Sequence, residues 1–277
     1  MNFKILLVFV FYLFAFSREY FAETIKKEVA ENSKEEPNIE NKSIPSHNIG
    51  YGFNLQFKQV RDEIFLPIRW MGPALDISFL YEHKTKHSIH NAYFSLPFAI
   101  LFDRYTNIAV NSGIKTGYSY HHKFNLLTQW GSFFGGFQFR QNVDIYMYPH
   151  WDDSHLYWVT VYDLGPGVLY ELKHYNHLLK VKFSFPLIGL ASRPKVVREN
   201  KIDKITHISN YFIQPHRNST FVFPFNYTAF DLTLVYEIPL KNQILIPEYT
   251  LHYLTIREPK RISVLTHEFY LKVMYEI

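Results

Sequence analysis

Long segments in which apolar and polar residues alternate one by one constrain the fold of this chain more than any other feature. Between residues 107 and 121, Ile108, Val110 and Ile114 share one phase, and Asn111 and Lys115 share the other. A period of two places these sets on opposite faces of a β-strand. One face therefore suits apolar surroundings, and the other suits water or a polar interior.

The same pattern divides the chain from residue 49 onward into ten segments. They cover residues 49–60, 74–84, 91–102, 107–121, 125–141, 155–172, 178–189, 219–238, 243–256 and 262–277. Each reaches the roughly 9 to 11 residues that a tilted strand needs to cross a bilayer, whereas strands of soluble proteins usually have about 5 or 6. We therefore expect an all-β fold: a transmembrane antiparallel up-and-down β-barrel of about ten strands, within a range of about 8–12.

The predicted connections between these segments alternate in length. Short ones fall near residues 85–90, 122–125, 173–177 and 240–243, and long ones fall near 61–73, 142–154 and 191–218. Two short connections, at 103–106 and 258–261, are exceptions on the long side. Bacterial membrane barrels have short periplasmic turns and longer external loops, so the alternation predicts that both termini are periplasmic.

Five tyrosines in the apolar phase favour the same orientation. Each comes near the end of a strand predicted to run toward the short connections: Tyr81, Tyr120, Tyr170, Tyr236 and Tyr275. At one depth they would form an interfacial aromatic belt, with the rings in the apolar boundary and the hydroxyls toward lipid headgroups.

The N-terminus has the layout of a secretory signal peptide. Lys4 precedes an apolar run over residues 5–16, and Ser17 ends a small-residue cleavage site, with Ala22 as the alternative. An uncleaved anchor is the other interpretation, but the run is shorter than the roughly 20 residues of a spanning helix. Residues 18–48 are rich in Lys, Glu, Asn and Ser and predict a disordered, charged periplasmic leader. Residues 49–277 are then the barrel.

The last strand carries a resemblance to a known class of proteins. Phe269, Leu271, Val273, Tyr275 and Ile277 alternate on one face and end at the carboxyl terminus. Such a strand resembles the signal by which bacterial outer-membrane β-barrel proteins enter their assembly machinery, although the usual terminal Phe or Trp is replaced by Ile. The resemblance extends to the superfamily and implies an integral protein of the bacterial outer membrane, with outer-membrane lipid and that machinery as partners.

The inward phase of the predicted strands collects ionisable side chains. Its members include Asp76, Glu82, Lys115, Asp163, Glu171, Lys180, Lys182, Asp231, Glu237, Glu268 and Lys272. A barrel of ten strands has little room inside, so we expect these charges to pair with one another. A narrow polar passage or a substrate pocket is the functional alternative.

Candidate catalytic residues occur in one predicted external loop and in two strands. The loop holds His150, Asp152, Asp153 and His155, and the strands hold His121 and His252. The loop group could bind a divalent ion or polarise a water molecule. However, its residues match no zinc-binding spacing, and turn formation by Asp and Ser explains them as well. We therefore predict no metal and no cofactor.

These observations favour a non-enzymatic surface or structural barrel, or a narrow pore. One alternative is a lipid-acting hydrolase, similar to outer-membrane phospholipases or lipid A deacylases, although no nucleophile motif of that kind is present. A second alternative is a soluble periplasmic, lipocalin-like barrel with its apolar faces inside. The chain has no cysteine, which excludes disulfides, thiolate catalysis and a lipidated cysteine.

The longest predicted loop, residues 191–218, is basic. It contains Arg193, Lys195, Arg198, Lys201, Lys204 and Arg217 against Glu199 and Asp203. If the loop is external, these cations would face the phosphates of lipopolysaccharide, or they are simply solvated. The net charge of the whole chain is only +4 and is dispersed, so nucleic acid is not expected as a partner.

Overall fold

The structure is a computed structural model, which describes residues 46–63, 66–128, 131–148, 155–174, 177–194, 216, 219–241, 243–258 and 260–277. At residues 66–67, 125–128, 148, 155–156 and 174 it describes the backbone alone. The strands are β1 (Ser46–Asp62), β2 (Leu66–Lys84), β3 (Ser88–Phe102), β4 (Ile108–Thr128), β5 (Gly131–Tyr148), β6 (His155–His174), β7 (His177–Ser184), β8 (Ile188–Ser192), β9 (Thr220–Val222), β10 (Tyr227–Pro239), β11 (Ile244–Ile256) and β12 (Ile262–Glu276). Within the described ranges, no helix is long and apolar enough to cross a membrane.

The strands form one antiparallel sheet that closes on itself. β1 pairs with β2 on one side and with β12 on the other, and β5 pairs with β6, so the order runs around a barrel. β7 and β8 both pair with β6, one after the other along its length. On their other side, β10 pairs with β7 and β9 pairs with β8. These four elements therefore make two interrupted barrel strands. The predicted antiparallel barrel of ten strands is confirmed.

A close approach of two backbones accompanies the break between β7 and β8. Ser184 and Gly189 both face the interior, although strict alternation would place them on opposite faces. The extra residue is absorbed around Pro186, which has no N–H for the ladder. Opposite it, a Cβ atom added at Gly165 would overlap the Phe185 carbonyl oxygen. Glycine at 165 is therefore what lets the interrupted strand stay in the barrel.

The stagger of the strands sets the width of the barrel. Starting at Gly167 of β6, we follow directly paired residues from strand to strand around the barrel. The row reaches β1 at Ser46 in one direction and at Lys58 in the other, so the stagger is twelve residues. With a rise of about 3.3 Å per residue and a strand spacing of about 4.8 Å, this stagger tilts ten strands by about 40°. The backbone radius is then about 10 Å, so side chains fill most of the interior.

The two ends of the barrel carry different connections. The short-connection end, where the sheet also begins and ends, has residues 85–87, 129–130, 175–176 and 240–243. The long-connection end has residues 63–65, 103–107, 149–154, 193–219 and 257–261. The long loop predicted at 61–73 is wrong, because β1 extends to Asp62 and β2 begins at Leu66. The turn predicted at 122–125 is also wrong, because β4 continues to Thr128. The first strand, β1, begins at Ser46, three residues before the predicted start of the barrel at 49.

The middle of the barrel is apolar outside and polar inside. Along β1, Phe53, Leu55 and Phe57 are exposed at 48%, 55% and 41%, while Asn54 and Gln56 between them are buried. Other exposed apolar side chains are Leu75, Ile77, Phe79, Phe94, Leu96, Phe98, Phe137, Phe139, Phe183, Leu232, Leu234, Phe269 and Leu271. This arrangement is the reverse of a lipocalin-like barrel, whose apolar faces would line the interior.

At the long-connection end the inner face of the barrel becomes apolar and the outer face becomes polar. Val60 and Trp70 face inward and are buried, and their neighbours Arg61 and Arg69 are exposed. Buried apolar residues pack together across this end: Val60, Trp70, Ala74, Ala99, Leu101, Ala109, Tyr146, Tyr157, Val159, Val161, Ala191, Val222, Tyr227, Ala229, Leu254, Ile256, Ile262 and Val264. The polar interior predicted from the alternation therefore does not extend to this end, which is filled like the core of a soluble protein.

Gly165→Ala should destabilise the barrel, because the added Cβ would overlap the backbone of the interrupted strand. We expect a loss of about 3 kcal/mol in the free energy of unfolding. Gly167→Ala is the matched control: it lies on the same face of β6, and its Cβ would come no closer than 3.2 Å to His121 Nε2. Urea unfolding of both variants in detergent micelles measures the difference, and equal stabilities would contradict this role of Gly165.

Candidate functional site

Inward-facing charges form clusters in the polar part of the interior. The cluster toward the short-connection end is centred on Lys180, whose Nζ lies 3.4 Å from Glu171 Oε1 and 3.6 Å from Glu82 Oε2. Lys180 also pairs with Glu237, and Lys84 Nζ lies 3.1 Å from Glu171 Oε1. One buried ammonium group thus compensates three carboxylates from three different strands.

A second cluster is centred on Arg140 of β5. Its Nε and Nη2 atoms donate to the two oxygens of Asp163 at 2.9 and 3.0 Å, and its Nη1 donates to Asp231. The Tyr227 hydroxyl donates to Asp163 Oδ2 at 2.5 Å, and His252 Nδ1 lies 2.5 Å from Asp231 Oδ1. The guanidinium is thereby shared by carboxylates from β6 and β10, which links three strands on one side of the barrel.

Three simpler ion pairs also join described residues of the interior. Nζ–carboxylate distances are 2.7 Å for Lys58–Asp144, 2.8 Å for Lys115–Glu268 and 2.7 Å for Lys272–Glu248.

At the long-connection end, Arg193 Nη2 lies 3.0 Å from both oxygens of Asp62. Arg193 Nη1 donates to the Lys260 carbonyl at 2.7 Å, and the Tyr157 hydroxyl donates to Asp62. The clamp therefore holds the β11–β12 connection onto the filled end of the barrel.

All eleven ionisable residues predicted for the interior face inward. Nine of them take part in the ion pairs above, whereas Asp76 accepts a hydrogen bond from Gln56 at 3.2 Å and Lys182 has no ion pair with a described residue. Sequence reasoning missed Lys58, Asp62, Lys84, Arg140, Asp144, Arg193 and Glu248. Several lie at or beyond the predicted strand ends, and following the inward phase of β5 past residue 141 would have found Asp144.

A central cavity of about 170 Å³ remains between these clusters. Lys182, His121 and His252 line it together with Ser184 and Gln138. The His121 Nδ1 atom is buried without a hydrogen-bond partner among the described residues. Because the apolar cluster lies between this cavity and the long-connection end, the charges form a packed network rather than the wall of a wide channel.

The structure describes the side chains of two of the six candidate catalytic residues, His121 and His252. His150, Asp152 and Asp153 lie outside the described residues, and only the backbone of His155, the first residue of β6, is described. His121 and His252 face the central cavity.

Ser184 Oγ donates to Asp231 at 3.3 Å, so the carboxylate lies between the serine and His252. In a nucleophilic triad the histidine lies between the other two. In the described segments, no group of three or more His, Asp or Glu residues could hold a metal ion.

The five belt tyrosines belong to the outward faces of their strands. Four lie within four residues of the strand end at the short-connection side, whereas Tyr120 lies eight residues before the end of β4 because that strand is longer than predicted. Three of them contact histidines: the Tyr81 hydroxyl lies 2.9 Å from His47 Nδ1, the Tyr120 ring lies 4.9 Å from the His90 ring, and the Tyr236 ring stacks on His177 at 5.3 Å. Tyrosine and histidine thus share this boundary of the apolar wall.

The basic loop predicted at 191–218 is only partly described. Arg193 is buried in the clamp with Asp62, so it is not a free cation of a solvated loop. Lys195, Arg198, Glu199, Lys201, Asp203, Lys204 and Arg217 lie outside the described residues.

Comparison with solved structures returns bacterial outer-membrane barrels. The translocator domain of the autotransporter NalP from Neisseria meningitidis covers 94% of this chain and 98% of its own length, at 10% identity and a TM-score of 0.47. The outer membrane protease OmpT from Escherichia coli covers 86% and 98%, at 9% identity and a TM-score of 0.48. The COG4313 outer membrane channel from Pseudomonas putida covers 88% and 100%, at 7% identity and a TM-score of 0.36. No family model and no curated protein matches the chain.

Lys180→Met should destabilise the barrel strongly, because it leaves Glu82, Glu171 and Glu237 without their shared cation. Removal of one partner from a buried ion pair costs about 3–5 kcal/mol. Lys182→Met is the matched control on the same face of β7, and we expect it to be neutral or stabilising because Lys182 has no ion pair with a described residue. Urea titrations compare the two variants; equal losses at both positions would contradict the network.

Proposed function

We propose that this chain is an integral β-barrel protein of the bacterial outer membrane and serves as a surface or structural barrel rather than an open pore. The observation that carries the proposal is the apolar wall around the middle of a closed sheet. Soluble monomers rarely expose a contiguous apolar patch of more than a few hundred Å², whereas these side chains continue from strand to strand. A closed barrel also leaves no unpaired edge, as the lipid interior requires.

Two segments of the sequence support a location in the outer membrane. Residues 1–17 have the signal peptide layout, and Phe269, Leu271, Val273 and Tyr275 face outward on β12. We propose that β12, whose other face completes the inner wall, is the strand by which the assembly machinery recognises the chain.

We further propose that both termini are periplasmic. The short-connection end holds the N-terminal start of β1 and the C-terminal end of β12, and its connections have at most four residues. The long-connection end holds the connection at 193–219, which fits an external loop.

This orientation can be measured directly because the chain has no cysteine of its own. A single cysteine at Lys86 should be hidden from a membrane-impermeant thiol reagent on intact cells, and one at Tyr105 should react. Permeabilised cells, in which both should react, give the control. The opposite labelling on intact cells would reverse the proposed orientation.

An arginine introduced into the apolar wall distinguishes lipid from water as the surroundings of that wall. Leu55 is 55% exposed, so Leu55→Arg in a soluble protein should change stability by less than about 0.5 kcal/mol. In a bilayer it should cost about 2–4 kcal/mol, and Gln59→Arg, close to the polar rim, should cost about 0–1 kcal/mol. The measurement is unfolding of the chain inserted in lipid vesicles, and two equally small costs would contradict the proposal.

The filled long-connection end predicts that the purified chain does not conduct. In planar bilayers we expect insertion without steady current steps, because apolar side chains and the Asp62–Arg193 clamp occupy that end. Protein inserted in parallel into dye-loaded vesicles should likewise release no small dye. A reproducible unit conductance would show that the chain is a pore.

A further inference from the structure

Several exposed cations without an ion pair to a described residue lie on the outer wall at the long-connection end. Arg61 of β1 and Arg69 of β2 face outward and are direct cross-strand partners. Like charges placed directly opposite each other are destabilising in a sheet. Neither guanidinium forms an ion pair with a described residue, so an external anion is the simplest way to offset their repulsion.

Three further cations stand beside this pair, in the connection between β11 and β12. They are Arg257, Lys260 and Arg261, all of them exposed. The Glu63 N–H donates to the Arg261 carbonyl at 2.9 Å, which holds the connection against the end of β1. Five cations therefore belong to these strand ends and this connection, whose exposed acidic residues are Glu63 and Glu258.

The cations line two adjoining open grooves, which we name the arginine groove. One part has a volume of about 340 Å³ and is lined by Arg61, Arg69 and Arg261, and the other has about 640 Å³ and is lined by Arg257, Lys260 and Arg261. Two guanidinium groups are oriented by the protein. Arg257 Nη1 donates to the Phe225 carbonyl at 3.0 Å, and Arg261 Nε lies 3.3 Å from Ser263 Oγ. Their remaining N–H groups form no hydrogen bond with a described residue and can bind an oxyanion in the two-pronged manner that arginine and phosphate favour.

The wall directly below the groove is apolar. Leu265 and Tyr253 line the first part of the groove, and Phe57 is exposed further down β1. The groove therefore presents cations above a surface suited to hydrocarbon chains. An amphiphile with a phosphate headgroup matches both parts, whereas an acidic protein would match the cations alone.

We propose that the arginine groove binds the phosphate groups of a phosphorylated membrane lipid whose acyl chains lie along the apolar wall. The inference rests on the proposed membrane location and names a lipid partner for the long-connection end. Arg61 and Arg69 bind the first phosphate, and Arg257, Lys260 and Arg261 bind a second one across Glu63. The site uses described strand ends and one short connection, not the basic loop at 195–217.

The test uses the full chain refolded in detergent micelles and native mass spectrometry. Three probes are titrated: a bis-phosphorylated glycolipid, the same lipid without its phosphates, and inorganic phosphate. We expect the phosphorylated lipid to bind and the other two not to bind at the same concentrations. The double variant R61Q/R69Q should weaken lipid binding at least about a hundredfold, since each charged hydrogen-bonding partner contributes about tenfold or more.

Controls separate this inference from the proposed function. Lys86→Gln removes an exposed cation at the short-connection end, and Arg104→Gln removes one in the β3–β4 turn at the same end as the groove. Both should bind the lipid like the unchanged chain. Equal binding by R61Q/R69Q, or equal binding of the dephosphorylated lipid, would overturn the lipid site, and equal binding of inorganic phosphate would assign the groove to a free anion. If the chain inserts into vesicles but gives any of these results, only the lipid site is contradicted. If the chain does not insert, the proposed membrane location itself is contradicted.

Discussion

The pairing of β1 with β12 is the constraint on which the rest of the structure depends. Fifteen consecutive residue pairs, from Asn48–Glu276 to Asp62–Ile262, join the first and last strands and leave the sheet without an edge. Closure satisfies the backbone N–H and C=O groups of the wall without water, which is the condition for a β-structure inside lipid. It also fixes the two faces, since a slip of one residue would exchange every inward side chain with an outward one.

Once the faces are fixed, the interior must accommodate its charges within a narrow space. A stagger of twelve residues in ten strands leaves room for side chains and one central cavity rather than a wide channel. The charges therefore share partners, as Lys180 does with three carboxylates and Arg140 does with two. Beyond the apolar wall, toward the long-connection end, the two faces of the sheet change character: Val60 and Trp70 fill the inside, while Arg61 and Arg69 face out.

This change of polarity explains how much of the structure the sequence could predict. In the middle of each strand, pairs such as Leu55 and Gln56 show which face is which, so the ten segments and eleven inward charges could be identified from the period alone, although Lys58 and Glu248 were missed. Near the long-connection end, the inversion at residues 60–70 removed the signal, and a strand hairpin was interpreted as a loop. The partners of Arg140 could not be predicted either, because they depend on the stagger around the barrel, which no local pattern encodes.

The most direct test of the account is a scan of the surroundings of β1, residue by residue. Single cysteines at positions 51 to 58, each labelled with an environment-sensitive fluorophore, would be measured in vesicles with and without a lipid-borne quencher. We expect strong quenching at 51, 53, 55 and 57 and weak quenching at 52, 54, 56 and 58. Uniformly weak quenching, or quenching in the opposite phase, would contradict the claim that the apolar wall of this barrel faces lipid.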